Sequence, residues 1–186
     1  MISSKDNNLI KQTKKLKEKK YRKQSNSFLV EGFRFVFEAI KSDFKVINVF
    51  VNETSIDKLE NDYKCIKDSI DDNNLYKVSD NVFKLLTSTE NPQGIIAVVE
   101  NKKHLPENKN GFYILADKVQ DPGNMGTIIR TAHASGALGV ITTDGTVDIY
   151  NEKTLRSTMG SIFYIPVIED SKFEFLNMLR ENQFKL

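Results

Sequence analysis

Between Asp117 and Ala132 the chain reads Asp-Lys-Val-Gln-Asp121-Pro122-Gly123-Asn124-Met-Gly126-Thr-Ile-Ile-Arg130-Thr-Ala. A Pro-Gly turn opening into a helix gathers unsatisfied backbone N–H groups at the positive end of a helix dipole. About two turns on, Arg130 adds a planar, five-donor cation. Together these types suit an anionic group such as a phosphate. Asn124 is placed as the helix N-cap. Gly126 and Arg130, four apart, share a helix face, so the missing side chain is expected to leave room for whatever the guanidinium grips. Gly123-x-x-Gly126 is not G-x-G-x-x-G, and G-x-x-x-x-G-K-S/T is absent, so a dinucleotide or P-loop site has no fingerprint here. A plain Pro-Gly turn followed by an outward-facing Arg fits the same residues, and the local pattern leaves that alternative open.

The stretch needs a strand before it and a helix after it, and the flanking pattern predicts both. Strands at 112–116, 138–142 and 162–167 alternate with helices at 124–135, 151–158 and 173–179, which predicts a parallel sheet with right-handed crossovers. Upstream, a helix is expected over 5–20 with one narrow apolar stripe, followed by strands at 28–30, 46–51, 75–78 and 94–100. Helices at 33–41, 56–70 and 80–86 fall between these strands. Asn101–Gly111 is polar with Pro and Gly, so the division is residues 1–100, a linker at 101–111, and 112–186. The fold class is α/β.

Composition narrows the function. The 186 residues carry 27 Lys+Arg against 25 Asp+Glu, one Cys and no Trp. Cys65 has no intrachain partner for a disulfide and no Cys/His cluster for a metal, so a reducing, cytoplasmic setting and no metal are expected. No apolar run reaches membrane-spanning length, and no membrane partner is expected. Residues 1–23 hold nine Lys/Arg and two acids, a charge of +7, which leaves −5 on the rest of a chain whose total is +2. A cationic arm on an acidic body suits a polyanion, nucleic acid first; a merely solvated helix face is the competing reading.

Asp121-Pro-Gly-Asn124-Met-Gly126-Thr-Ile-Ile-Arg130-Thr-Ala132 resembles the first signature motif of the SpoU, or TrmH-type, RNA 2'-O-ribose methyltransferases of the SPOUT superfamily. The resemblance extends to Val147-Asp-Ile-Tyr150, Leu155-Arg156-Ser-Thr-Met-Gly160 through Val167, Lys19-Lys-Tyr21-Arg22, Phe28-Leu-Val-Glu31-Gly32 and Asn91-Pro-Gln-Gly94-Ile-Ile-Ala97. It implies a ribosomal-protein-like α/β substrate-binding domain followed by a Rossmann-like parallel-sheet domain, knotted in full-length relatives. It also implies S-adenosylmethionine as cofactor, RNA (ribosomal RNA foremost) as substrate, and a homodimer when full-length. The family's later Gly-Asn-Glu-Gly-type and Ser-Leu-Asn motifs do not occur before Leu186. The chain is therefore expected to be the leading, inactive part of such an enzyme, with its cofactor-binding residues beyond Leu186.

Within that resemblance Arg130 and Asn124 are the catalytic candidates. A guanidinium has a pKa above about 12, so Arg130 is assigned a grip on substrate phosphate and on the developing alkoxide rather than the role of base; phosphate or water stays open as the base. Pro122, Gly123 and Gly126 shape the motif. Lys14, Lys15, Lys19, Arg22, Lys23, Glu31, Arg34 and Arg156 are the RNA-binding candidates, although a cap or ion pair fits Glu31 as well. His133 and the Phe33, Phe35 and Phe37 series read as packing residues. Two other readings stay open: a non-catalytic RNA-binding module, and a metabolic α/β enzyme holding a phosphorylated small substrate at the Asn124 helix. The reading frame past Leu186 would separate them.

Overall fold

The computed structural model describes residues 1–102, 104 and 110–184, so most of the expected 101–111 linker lies outside the described residues. Two units separate, Met1–Asn101 and Lys102–Leu186.

In the first unit, α1 (Asn8–Lys15) starts where the Asn7 side chain accepts from the Leu9 and Ile10 amides, and α2 spans Lys19–Ser25. The single helix expected over 5–20 is thus broken, for a tertiary reason. Buried Arg22 reaches back and donates from one Nη to the carbonyls of Leu16 (2.8 Å) and Lys17 (2.7 Å), supplying the partners a continuing helix would have provided. Next come β1 (Ser27–Glu31), α3 (Phe33–Lys41) and β2 (Val46–Asn52). The predicted 56–70 helix is two short ones, α4 (Ile56–Asn61) and α5 (Lys64–Asp68), and β3 (Leu75–Val78), α6 (Asp80–Leu86) and β4 (Ile95–Glu100) complete the unit.

The sheet order is β1-β4-β2-β3, antiparallel except for the parallel β2–β3 pair. Strand alternation sorts β4: Ile96 and Val98 join Leu29, Phe50, Val82, Phe83 and Leu86 in a core that also takes Ile10 and Leu16. Ile95, Ala97 and Val99 belong to the other face, and α3 packs on β4 and β1 through buried Phe33, Val36 and Ala39. Phe33 is fully buried and stacks on Tyr63, which makes it a packing residue.

The second unit is a parallel sheet in the order β5-β6-β7, comprising β5 (Tyr113–Ala116), β6 (Gly139–Thr142) and β7 (Val167–Glu169). Helices α7 (Pro122–Ala134), α8 (Glu152–Ser157) and α9 (Glu174–Glu181) alternate with the strands. Two expectations shift. The strand placed at 162–167 is a 3-10 turn over Ser161–Phe163, with the ladder starting only at Val167. Ile162, Phe163 and Ile165 are all buried without alternation, and Pro166 has no N–H to give a ladder, though its carbonyl accepts from Val140 (2.8 Å). The strand predicted at 112–116 begins one residue later, at Tyr113, and lies at the sheet edge, with Phe112 and Leu115 more than 40% exposed, at 44% and 42%.

Candidate functional site

The motif leaves β5 at its carboxyl end, and its first residues are consumed by the fold. Asp117 accepts from the Thr143 hydroxyl (2.5 Å), and the same hydroxyl accepts from the Lys118 amide (3.2 Å). The loops after β5 and β6 are further joined by Val147 N–H to Val119 O (2.8 Å) and by the Thr146 hydroxyl to Ala116 O. Asp121, not Asn124, is the N-cap of α7: its carboxylate accepts from the Asn124 amide at 2.7 Å, and Pro122 takes the first turn, where no N–H is missed.

Gly126 also departs from expectation. It is buried, and a Cβ there would lie 2.3 Å from Ser157 Cβ, 2.8 Å from the Ser157 carbonyl carbon and 2.9 Å from the Thr154 oxygen. The missing side chain lets α7 and α8 touch; it does not open space for a ligand. Arg130 points elsewhere. It is exposed, and among the described residues its guanidinium meets no hydrogen-bond or ion-pair partner. Asn124 is exposed too, with its amide side chain unused. Asn124, Thr127 and Arg130 step along α7 at three-residue intervals, so each neighbours the next on one exposed ridge. Thr127 turns its hydroxyl back to the Gly123 carbonyl (2.9 Å), leaving Asn124 and Arg130 as the outward polar groups on either side of it. Arg156 is exposed in the last turn of α8. His133 meets Ser161 Oγ at 3.2 Å and stacks on Tyr164, which supports a packing role.

The loops that follow β5, β6 and β7 hold no orphaned buried polar atom: Thr143 is paired with Asp117, and the Asp170 carboxylate caps α9 through the amides of Phe175 and Leu176. Among the described residues, then, no buried polar side chain in these loops waits for a nucleoside cofactor. Among the described residues no group of three or more His, Cys, Asp or Glu could hold a metal.

In the first unit the predicted RNA-binding residues separate into two kinds. Lys14, Lys15 and Lys19 are exposed with no ion-pair partner among the described residues, as is Lys20, which was not among the candidates. Lys23 and Arg34 are exposed as well. Arg22 is a correction: its buried guanidinium binds the chain's own carbonyls and holds the α1–α2 turn. Glu31 is another. Its carboxylate accepts from the Thr87 hydroxyl (2.6 Å), the Thr89 hydroxyl (2.5 Å) and the Ser88 amide (3.3 Å), fixing the 87–89 segment to the end of β1. The neighbouring motif residues do similar work. Gln93 Oε1 accepts from the Phe33 amide, and Gly94, at φ +87°, has no room for a Cβ beside Ser55. Lys17 joins the basic segment to the same place, donating to Thr87 O at 2.6 Å.

Comparison with known proteins bears on both units. Residues 7–97 match the MRM3-like substrate binding domain, and residues 111–186 match the SpoU rRNA Methylase family. The chain is 41% identical over 190 residues to the 23S rRNA (guanosine(2553)-2'-O)-methyltransferase RlmP of Bacillus subtilis, covering 100% of this chain and 71% of that protein. It is 30% identical to the mitochondrial rRNA methyltransferase 3 of Xenopus laevis, over 88% of this chain and 40% of that longer protein. Among solved structures, the AdoMet-bound rRNA methyltransferase from Sinorhizobium meliloti superposes with a TM-score of 0.79 at 29% identity, covering 97% of this chain and 68% of that one.

Proposed function

The chain belongs to the SpoU family of S-adenosylmethionine-dependent rRNA 2'-O-methyltransferases, and from that premise we propose that its own substrate is ribosomal RNA, with Arg130 and Asn124 at the reacting ribose. One observation carries the assignment. Of the motif's polar residues, Asp117, Asp121 and Thr127 spend their side chains on hydrogen bonds to the chain itself, whereas Arg130 and Asn124, like Lys118, Gln120 and Thr131, stand exposed and unengaged among the described residues, and of these Arg130 alone offers the forked cation that a phosphate takes. A side chain that the fold does not use, in a segment otherwise built to hold it rigidly, is available to a ligand.

The cofactor supplies the methyl group when bound. This chain's residues act on the RNA. A ribose 2'-hydroxyl that is to accept a methyl group must give up its proton, and its oxygen then carries negative charge. Arg130, a fixed cation on a helix packed against α8, holds the adjacent phosphate and stabilises that charge. Asn124, one ridge position from Thr127, orients the ribose by hydrogen bonding. The proton passes to phosphate or water, since a guanidinium is not deprotonated in proteins. Lys14, Lys15, Lys19 and Lys23, with Arg34 and Arg156, bind RNA phosphates. A cytoplasmic homodimer is part of the same proposal; no described helix is long and apolar enough to cross a membrane.

The test is methyl transfer from labelled S-adenosylmethionine to unmodified ribosomal RNA by the protein expressed from its full reading frame, with the product mapped as an alkali-resistant linkage. Arg130→Ala is expected to lower turnover about 100- to 1,000-fold, far more than it lowers cofactor affinity. Arg130→Lys restores part of the loss, because a point charge does not reproduce a forked donor. Near-normal turnover by Arg130→Ala refutes the assignment, and RNA binding without methyl transfer returns the protein to a non-catalytic binding module.

A further inference from the structure

The turn between α1 and α2 sets an aromatic ring among unpaired cations. Tyr21 is half-buried, and the Lys15 and Lys20 ammonium groups lie 5.3 Å and 5.8 Å from its ring centroid. Neither lysine has an ion-pair partner among the described residues, and the Tyr21 hydroxyl has no hydrogen bond there. Lys14 and Lys19 extend the cationic surface, and from Lys11 to Lys23 the only acid is Glu18.

The arrangement depends on the buried Arg22. By holding the Leu16 and Lys17 carbonyls it stops α1 and folds α2 back, which carries Tyr21 beside Lys15 on the preceding helix. Were the helix predicted over 5–20 to run on unbroken through residue 21, residues 15 and 21 would be six positions apart, about 9 Å along the axis and on different faces.

Resting on the RNA-substrate reading above, we propose that Tyr21 is a stacking platform for one unpaired RNA base, with Lys15 and Lys20 as its phosphate clamps. Without RNA the ring is covered by the two ammonium groups. An exposed cation–π contact is weaker than stacking of a nucleobase on the same ring, so a base displaces them. Their flexible stems then carry the released charges to the phosphates on either side of the stacked nucleotide. Duplex RNA keeps its bases paired and stacked and offers this ring nothing, so the ligand is a single-stranded segment or loop.

The experiment compares a single-stranded RNA decamer carrying 2-aminopurine with the same sequence as a duplex. Tyr21→Leu is expected to weaken single-strand binding about 10- to 100-fold, abolish quenching of the 2-aminopurine, and leave the duplex affinity and the salt dependence unchanged. Tyr21→Phe keeps both affinity and quenching. Lys15→Gln and Lys20→Gln each flatten the log–log salt slope by about 0.7. If Tyr21→Leu does not fold, ultraviolet cross-linking of the unaltered protein to 5-bromouridine RNA decides, with residue 21 expected as the adduct. An adduct elsewhere, equal losses on single strand and duplex, or unchanged single-strand affinity overturns the platform. Should the unaltered protein bind neither RNA, the RNA-substrate reading falls with it; binding that Tyr21→Leu leaves intact removes the platform alone.

Discussion

Replacing Gly126 with Ala tests whether the motif glycine serves packing or ligand access. The added Cβ would sit 2.3 Å from Ser157 Cβ, where ordinary contact begins near 3.4 Å, a shortfall of about 1.1 Å. Two of its three near neighbours are backbone atoms, at 2.8 and 2.9 Å, and cannot rotate away. Helices α7 and α8 must therefore separate, which loosens the packing around buried Met125, Ile129 and Leu155. Overpacking of this kind costs about 3 kcal/mol at the upper end of its usual range. Alanine's better helix propensity offsets about 1 kcal/mol, leaving a net loss near 2 kcal/mol. For a unit of fewer than 100 residues that lowers the melting midpoint by about 10 °C. Hydrogen exchange read by mass spectrometry should show lost protection in residues 122–134 and 152–157, with β4 of the other unit as an internal control. Adding Ser157→Gly removes the nearest clash but not the backbone ones, so the double variant recovers part of the loss, a coupling expected of touching sites. Unchanged midpoint and exchange in Gly126→Ala would refute the packing role and return the position to ligand access.

Charge reversal at Lys14, Lys15 and Lys19 should weaken RNA binding and flatten its salt dependence. With about four exposed ammonium groups engaged, the unaltered slope should be near −3 for single strands, and an unchanged slope in the triple variant would leave the leader a solvated face. Arg22→Ala strips donors from two carbonyls at the end of α1, and at about 1–3 kcal/mol for an unsatisfied buried group it should destabilise the first unit, read by urea unfolding; loss of RNA affinity with full stability would contradict its role in the turn. The Asp80 carboxyl, held below its ordinary value of 3.8 by hydrogen bonds from Lys84 and then Asn52, adds stability that is present above 3.8 and lost as pH falls through the lower folded value. Carboxyl-resolved NMR should find it titrating below 3.8, and titration at or above that value would show the Lys84 and Asn52 contacts absent in solution.

Periodicity and turn chemistry make much of this protein readable from its sequence. The strand Leu75–Val78 and the helix Asp80–Leu86 lie where alternation and apolar spacing place them, because short-range stereochemistry and a single buried face dictate both. The parallel order of the second sheet follows from strand–helix alternation and the handedness of crossovers. The motif at 121–132 was legible as a strand-to-helix turn bearing an Arg, since Pro, Gly and an acid or amide announce helix starts locally. Long-range contacts decided what those residues do. Whether Asp121 or Asn124 caps α7 turned on where Pro122 could sit in the first turn. Gly126 became a helix–helix contact only through Ser157, thirty-one positions away in the chain. Glu31 answers to Thr87, Ser88 and Thr89, and Arg22 to carbonyls across a turn that the apolar stripe concealed. Local propensity comes from neighbours within a few residues and is written in residue type and spacing; the partner of a polar or missing side chain is set by tertiary packing, which no short window of sequence contains.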